Sequence, residues 1–501
     1  MFTPASETPI ILTVVLVALG ILSWGFIRAR KFGKLGILAW LQSVVLIFPW
    51  LLFFGLFATG IYLNLAGVLL LIVASTAIYI FLGNRLRAAG QDAILRAKAT
   101  EKLAGNSTTP EPNAADDNSV KAAEIVTRPE VMPIPDEDLT AIRGIFGIDT
   151  FFATESIPYQ EGIIFKGNLR GEPEPVYNRL NASLQERMGN KYRLFLVENV
   201  DTRPVVIVLP SRNDPRPSTV GQKIFALVLF LATIATSLET AGILQGFDFF
   251  TTPARFPEAL PIALGILAVL AAHEIGHRVL AQRYQVRLSP PFFLPTLQIG
   301  AFGAITRIES LLPNRTALFD IAIAGPIAGG VVSLLMLFAG LILSHPGSMY
   351  QVPSQFFQGS ILVGALSKVV LGSAVNQALV DVHPLTIIGW LGLVITALNL
   401  MPAGQLDGGR VVQAIYGRKT AGRTTLATVI VLAIASLANP LALYWAVVIL
   451  FLQRDLERPS MNELTEPNDA RAALGLLALF LMIATLLPLT PALAGRLGIG
   501  G

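Results

Sequence analysis

The chain has 501 residues, of which 53% are hydrophobic and only 14% charged, a balance that excludes an ordinary soluble globular protein of this size and points to a polytopic membrane protein. Its formal charge of +4 is small, and Lys and Arg gather at the ends of apolar runs, which speaks for membrane topology and against nucleic-acid binding. There is no cysteine, so disulfides and thiolate metal sites are excluded.

Residues 1–9 carry no basic cluster and leave no room for a transit peptide, so the apolar run 10–27 reads as a retained anchor. Runs 37–57 and 61–83 follow, each near the ~20 residues that a membrane helix needs. The basic residues Arg28, Arg30, Lys31, Lys34, Arg85 and Arg87 place the N-terminus outside and residue 85 onward in the cytoplasm. Residues 1–90 are thus an N-terminal transmembrane part. Residues 91–135, rich in Pro, Asn, Asp, Ser and Thr, read as a flexible linker. Residues 136–212 read as a small soluble α+β domain. Val176, Leu180, Leu184 and Met188 recur every four residues on one helix face, and runs 192–197 and 205–209 are β-prone with a turn between them.

Apolar runs resume over residues 220–495, at about 222–243, 258–281, 316–343, 383–402, 422–438, 440–453 and 470–491, with a short run at 360–372. The expected fold is therefore a polytopic α-helical membrane protein of nine or ten spans with one soluble insert. Residues 289–304 are apolar but broken by Pro290, Pro291 and Pro295, which forbid a regular helix. Irregular backbone at membrane depth must be covered by protein or line a cavity. That predicts a re-entrant loop or hairpin whose free edge holds an extended substrate by strand addition, with an ordinary surface loop as the alternative.

Within 258–281 lies His273-Glu274-Ile275-Gly276-His277. Positions four apart share a helix face, so both imidazoles can bind one metal, with Glu274 beside them as a base. A charge in an apolar helix is costly and marks function. A catalytic zinc usually has three protein ligands, and Asp407 is the candidate for the third. It ends a later apolar run, is followed by Gly408, Gly409 and Arg410, and falls at the same depth and side as the histidines. Its alternatives are a helix cap or a partner for Arg410. His345 and His383 fall on outer ends and are discounted as ligands. Asn399 either donates to an oxyanion or to substrate backbone, or bonds helix to helix.

Taken together, His273-Glu274-x-x-His277 and Asn399-x-x-Pro402-x-x-x-Leu406-Asp407-Gly408 resemble the site-2 protease family of intramembrane zinc metalloproteases. The stretch Gly167-Asn168-Leu169-Arg170 resembles the GNLR motif of the plant chloroplast branch named for ethylene-dependent gravitropism-deficient and yellow-green, and of its cyanobacterial relatives. On residues alone, Gly167-Asn168 reads equally as a turn. The resemblance covers roughly residues 130–495. It implies hydrolysis of peptide bonds in or near a transmembrane segment of a membrane-protein substrate, in the lipid bilayer. It further implies one zinc ion per chain held by His273, His277 and Asp407, with Glu274 as catalytic base. The short N-terminus favours a cyanobacterial plasma or thylakoid membrane over a plastid one. The alternatives are a membrane chaperone or assembly factor, or an ion-coupled transporter. Against a transporter, the chain shows no internal repeat.

Overall fold

The computed structural model describes residues 134–499 except 160, 200–202, 298, 438 and 454, together with scattered positions between 22 and 86 that include the helix Gly33–Ala58 (α1). Most of the expected spans 10–27 and 61–83, and the linker through residue 133, lie outside the described residues. The chain divides into two compact units, residues 1–127 with 427–454, and residues 128–426 with 455–501. α1, in the first unit, covers the expected span 37–57.

The second unit begins with an α+β domain, expected from the sequence as a soluble insert. Its elements are α2 (Asp136–Arg143), β1 (Phe151–Tyr159), β2 (Gly162–Leu169), α3 (Pro173–Met188), β3 (Tyr192–Glu198) and β4 (Pro204–Pro210). All strand pairs are antiparallel, in the order β1-β2-β4-β3. The four-residue rhythm of α3 buries Val176, Leu180 and Leu184 against Phe165, Leu194, Leu196, Val206 and Val208 of the sheet. Pro173 starts α3 where a missing N–H costs nothing, and Gly189 at φ 56° ends it. The expected 192–209 hairpin forms. Gly167 and Asn168, however, are not a turn. They lie within β2, opposite Ala153 and Phe152. A Cβ on Gly167 would come within 2.1 Å of Phe152 O, beside a bulge in β1, so the glycine serves close strand approach.

The helical part follows, with α4 (Val220–Leu244), α5 (Phe256–Arg283), the hairpin β5 (Phe292–Thr296) and β6 (Gly300–Ile305), and α6 (Arg315–Leu343). Next come β7 (Tyr350–Pro353), α7 (Ile361–Leu371), β8 (Leu379–Val382), α8 (Pro384–Asn399) and α9 (Asp407–Ala435). The chain then runs through α10 (Pro440–Val448), a π-turn at Ile449–Gln453, α11 (Asp469–Leu486) and α12 (Pro491–Leu497). Among the described residues four helices are long and apolar enough to cross a membrane, at Val220–Leu244, Pro253–Arg283, Arg315–Leu343 and Asp469–Leu486. Four further apolar stretches are shorter, among them α8. The run expected at 422–438 lies mostly in the second of two helical stretches that make up Asp407–Ala435, separated at Gly417 by non-helical backbone with φ 77° and ψ 171°.

Side-chain caps start several of these helices. Thr219 and Gln222 form a capping box on α4, Asn314 caps α6 and Asn468 caps α11. His383 caps α8, its Nδ1 accepting from Leu385 N at 3.3 Å.

Residues 289–304 form a paired hairpin rather than an open loop. Its turn carbonyls need donors inside an apolar bundle. α4 supplies them. Thr236 Oγ1 donates to Gly300 O at 2.6 Å, and Thr240 Oγ1 to Leu297 O at 3.2 Å. The polar side of an otherwise apolar helix is thus turned inward onto the hairpin.

Candidate metal centre

His273, Glu274 and His277 all lie on α5 and are all buried. Asp407, the first residue of α9, is brought onto them from 130 positions later by the turn between α8 and α9. His273 Nε2 lies 3.1 Å from Asp407 Oδ2 and 3.1 Å from His277 Nε2, and His277 Nε2 lies 3.4 Å from Asp407 Oδ2. His277 Nδ1 donates to Ile321 O at 2.7 Å, which leaves a lone pair on its Nε2. That lone pair faces a second imidazole nitrogen and a carboxylate oxygen. Such a convergence of acceptors in a buried site calls for a cation. Tetrahedral zinc with N and O bonds of about 2.0–2.1 Å holds its ligand atoms ~3.3 Å apart, and the three edges here match that spacing. Together with Glu274, the histidines form the one cluster of potential ligands from His, Asp, Glu or Cys found among the described residues.

α6 makes room for this cluster. A Cβ on Gly325 would stand 2.2 Å from His277 Nε2, and one on Gly329 would stand 3.1 Å from His273 Cβ. The small residues of α6 therefore admit imidazoles as well as a neighbouring helix. Glu274 Oε2 accepts from Thr306 Oγ1 at 2.8 Å and from Arg278 Nη1 at 2.9 Å. A narrow cleft, with room for about 10 Å³, lies over His273 and Glu274, lined by Phe293, Gly303 and Ala304 of the hairpin and by Thr396 and Asn399 of α8. The hairpin is thus beside the candidate site.

Asn399 Nδ2 donates to Ile395 O at 2.8 Å and to Phe302 O at 3.3 Å. Both of its N–H donors are engaged, so in this geometry Asn399 ties α8 to β6. His345 and His383 stand away from the cluster, His345 bonding to Pro346 O and His383 capping α8.

The sequence reading missed Arg278, Thr306 and Glu457. Arg278 stands four residues after Glu274, a spacing that could have flagged it. Thr306 has no local signature, being brought in by the hairpin. Asp407 Oδ1 also lies 3.9 Å from Arg410 Nη1, so facing the histidines and neighbouring Arg410 are compatible.

Paired histidines on one buried helix, met by a carboxylate from a later one and a glutamate alongside, are the arrangement of a metallopeptidase centre inside an apolar bundle. Residues 261–438 match the model of Peptidase family M50, and residues 140–215 match that of the EGY3 middle domain. Two Arabidopsis thaliana proteins, probable zinc metalloprotease EGY1, chloroplastic, and probable zinc metalloprotease EGY2, chloroplastic, are each 38% identical to the chain. The first alignment spans 76% of this chain and 76% of the relative, the second 73% and 67%. Probable zinc metallopeptidase EGY3, chloroplastic, of the same plant is 34% identical over 70% of this chain and 65% of its own. No solved structure matches. The chain belongs to the EGY zinc metalloproteases of peptidase family M50.

Proposed function

We propose that this membrane metalloprotease hydrolyses peptide bonds in or beside transmembrane segments of membrane-protein substrates, with His273, His277 and Asp407 holding one zinc ion and Glu274 carrying the proton. The observation that carries this reading is the convergence of His273 Nε2, His277 Nε2 and Asp407 Oδ2 within 3.1–3.4 Å, with Glu274 alongside. Zinc, when bound, supplies Lewis acidity toward water and the scissile carbonyl. Glu274 takes the proton of the attacking water as its oxygen bonds to the carbonyl carbon. It then hands that proton to the amide nitrogen as the C–N bond breaks. Thr306 and Arg278 hold the Glu274 carboxylate for both transfers. Asn399 positions β6, and its longer bond to Phe302 O is the one an oxyanion would replace. An extended substrate segment pairs with the outer edge of the β5–β6 hairpin. A chaperone or a transporter gives Glu274 no task.

The same reading divides the chain into a transmembrane part over residues 1–90, a linker over 91–135, the soluble domain over 136–212 and the protease domain over 220–495. It assigns nine or ten spans, supported by four long apolar helices and four shorter apolar stretches. We place the protein in a cyanobacterial plasma or thylakoid membrane, or in a chloroplast membrane if the source is a plant. The relatives named chloroplastic support the photosynthetic setting.

The test is zinc content by elemental analysis of purified wild type, His273→Ala and Asp407→Ala. The expected result is one zinc per chain in wild type and a sharp loss in both variants. Full occupancy in Asp407→Ala would remove that residue from the ligand set.

A further inference from the structure

Arg410 is 5% exposed and lies one turn after Asp407 on α9. Its Nε and Nη2 both lie 3.0 Å from Glu457 Oε2, its Nη2 donates to Thr306 O at 2.9 Å, and its Nη1 stands 3.9 Å from Asp407 Oδ1. Glu457 is 6% exposed, and its backbone carbonyl accepts from Gln413 Nε2 at 3.1 Å and from Arg418. Burying both charges costs several kcal/mol per ion unless geometry and hydrogen bonding compensate. Here a planar guanidinium faces three different elements at once, which an ammonium cannot reproduce. One of its targets is the backbone of Thr306, whose hydroxyl bonds Glu274, and another is the carboxylate that faces both histidines.

Glu457 is itself anchored from the other side. The segment that carries it pairs with the outer edge of β3, Leu196 N donating to Met461 O at 2.8 Å and Glu463 N to Leu196 O at 2.9 Å. It also pairs with the entry to α6, Met461 N donating to Leu312 O at 2.8 Å and Asn462 N to Pro313 O at 3.0 Å. Residues 455–466 therefore form a strap. At one end it meets the soluble sheet, at the other the buried arginine beside the metal centre.

We propose that Glu457 and Arg410 are a positioning pair, which sets the orientation of Asp407 and of the Thr306 partner of Glu274, and that the 455–466 strap ties this pair to the soluble domain. The inference rests on the metal-site reading above. Neither residue touches the reacting atoms, and both act through Asp407 and Thr306.

The test uses the full chain in detergent with zinc as the probe, its affinity measured by competition against a chromophoric chelator. Glu457→Gln keeps the shape and removes the charge. The expected result is a roughly 10- to 100-fold weaker zinc affinity, the usual effect of losing a residue that orients a ligand, together with a lower melting temperature because Arg410 loses its buried counter-charge. Glu457→Asp keeps the charge and restores part of the affinity, and it carries the same test if the Gln variant fails to fold. Zinc affinity indistinguishable from wild type in Glu457→Gln overturns the proposal. So does an equal loss of affinity in Leu194→Ala, which lowers stability away from the pair, because that is a plain structural role. A wild type that binds no zinc refutes the metal-site reading instead, so the two failures are separable.

Discussion

The α+β domain and the helical region around α5, α6 and α8 both bury apolar side chains, but the helical region buries a cluster of charged and ligand side chains as well. In the α+β domain the interior is apolar, built from Ile142, Phe151, Leu180, Leu184, Leu194 and Val206, each fully buried or nearly so. Its ion pairs, such as Lys166–Glu155 and Arg179–Asp149, stay half-exposed or more at the surface. The helical region also has an apolar interior, with Ile262, Ile266, Leu270, Ile388 and Ile395 buried together, but it exposes large apolar side chains such as Ile275, Val279, Leu335 and Phe338 and buries His273, Glu274, His277, Asp407, Arg410 and Glu457. An aqueous domain is held by removing apolar area from water, and such cores tolerate volume-conserving changes. Buried charges gain nothing from that effect. Each persists because a specific partner stands at the right distance, and loss of one partner leaves the other unpaired. Damage should therefore show as lost stability in one region and as lost geometry in the other.

The sharpest way to break this contrast is to remove the metal or a ligand. Chelation, or His273→Ala, is expected to abolish proteolysis while the soluble domain still unfolds at its wild-type temperature, as read by calorimetry. Next in size, Glu274→Gln should slow cleavage by roughly 10²- to 10⁴-fold, the range for a general acid–base group, with zinc retained in elemental analysis. Wild-type turnover in that variant would end the assignment of Glu274. Gly325→Ala places a Cβ 2.2 Å from His277 Nε2, and chelator competition should show zinc bound roughly tenfold more weakly or worse. On the other side of the contrast, Leu194→Ala should cost about 2–5 kcal/mol of stability for a fully buried leucine. Its zinc affinity should not move, and a parallel fall would mean the two regions share one cooperative unit.

The smallest effect concerns Asp138. Hydrogen bonds from Lys191 and then from Tyr192 hold its carboxyl below the usual carboxylate range, while burial opposes them. A carboxyl depressed on folding stabilises above its unfolded value of about 3.9, and that contribution disappears as pH falls through the folded value. Lys191 is 57% exposed, so solvent screens the pair and its worth is at most ~1 kcal/mol. Asp138→Asn should lower stability at pH 7 by at most ~1 kcal/mol, converge with wild type in acid, and so flatten the acid side of the stability–pH curve. A larger acid-side loss in the variant than in wild type would contradict this.

Much of the architecture was legible because it rests on local period and composition. Val176, Leu180 and Leu184 announce α3 by spacing. His273 and His277 share a face because α5 is helical, and the prolines at 290, 291 and 295 rule out a helix where β5 and β6 form. The β1–β2 hairpin was not legible. Its Gly167-Asn168 pair looks like a turn to any local reading and becomes strand only because β1 closes on it. Asn399 had two readings, and its bond to Phe302 O, a carbonyl far away in sequence, could not be read locally.

The amino-acid sequence by itself determined the membrane class, the helix that carries both histidines and the breaks between apolar runs. These follow from side-chain transfer free energies and backbone sterics, which act over a few residues. The tertiary structure decided what meets across the chain. It set Asp407 against the histidines, Thr306 on Glu274, Arg410 on Glu457, and the 455–466 segment on β3. Those juxtapositions depend on how close α6 approaches α5 and on which carbonyls the hairpin presents. Both are properties of packing over a hundred residues or more, and no local pattern encodes them.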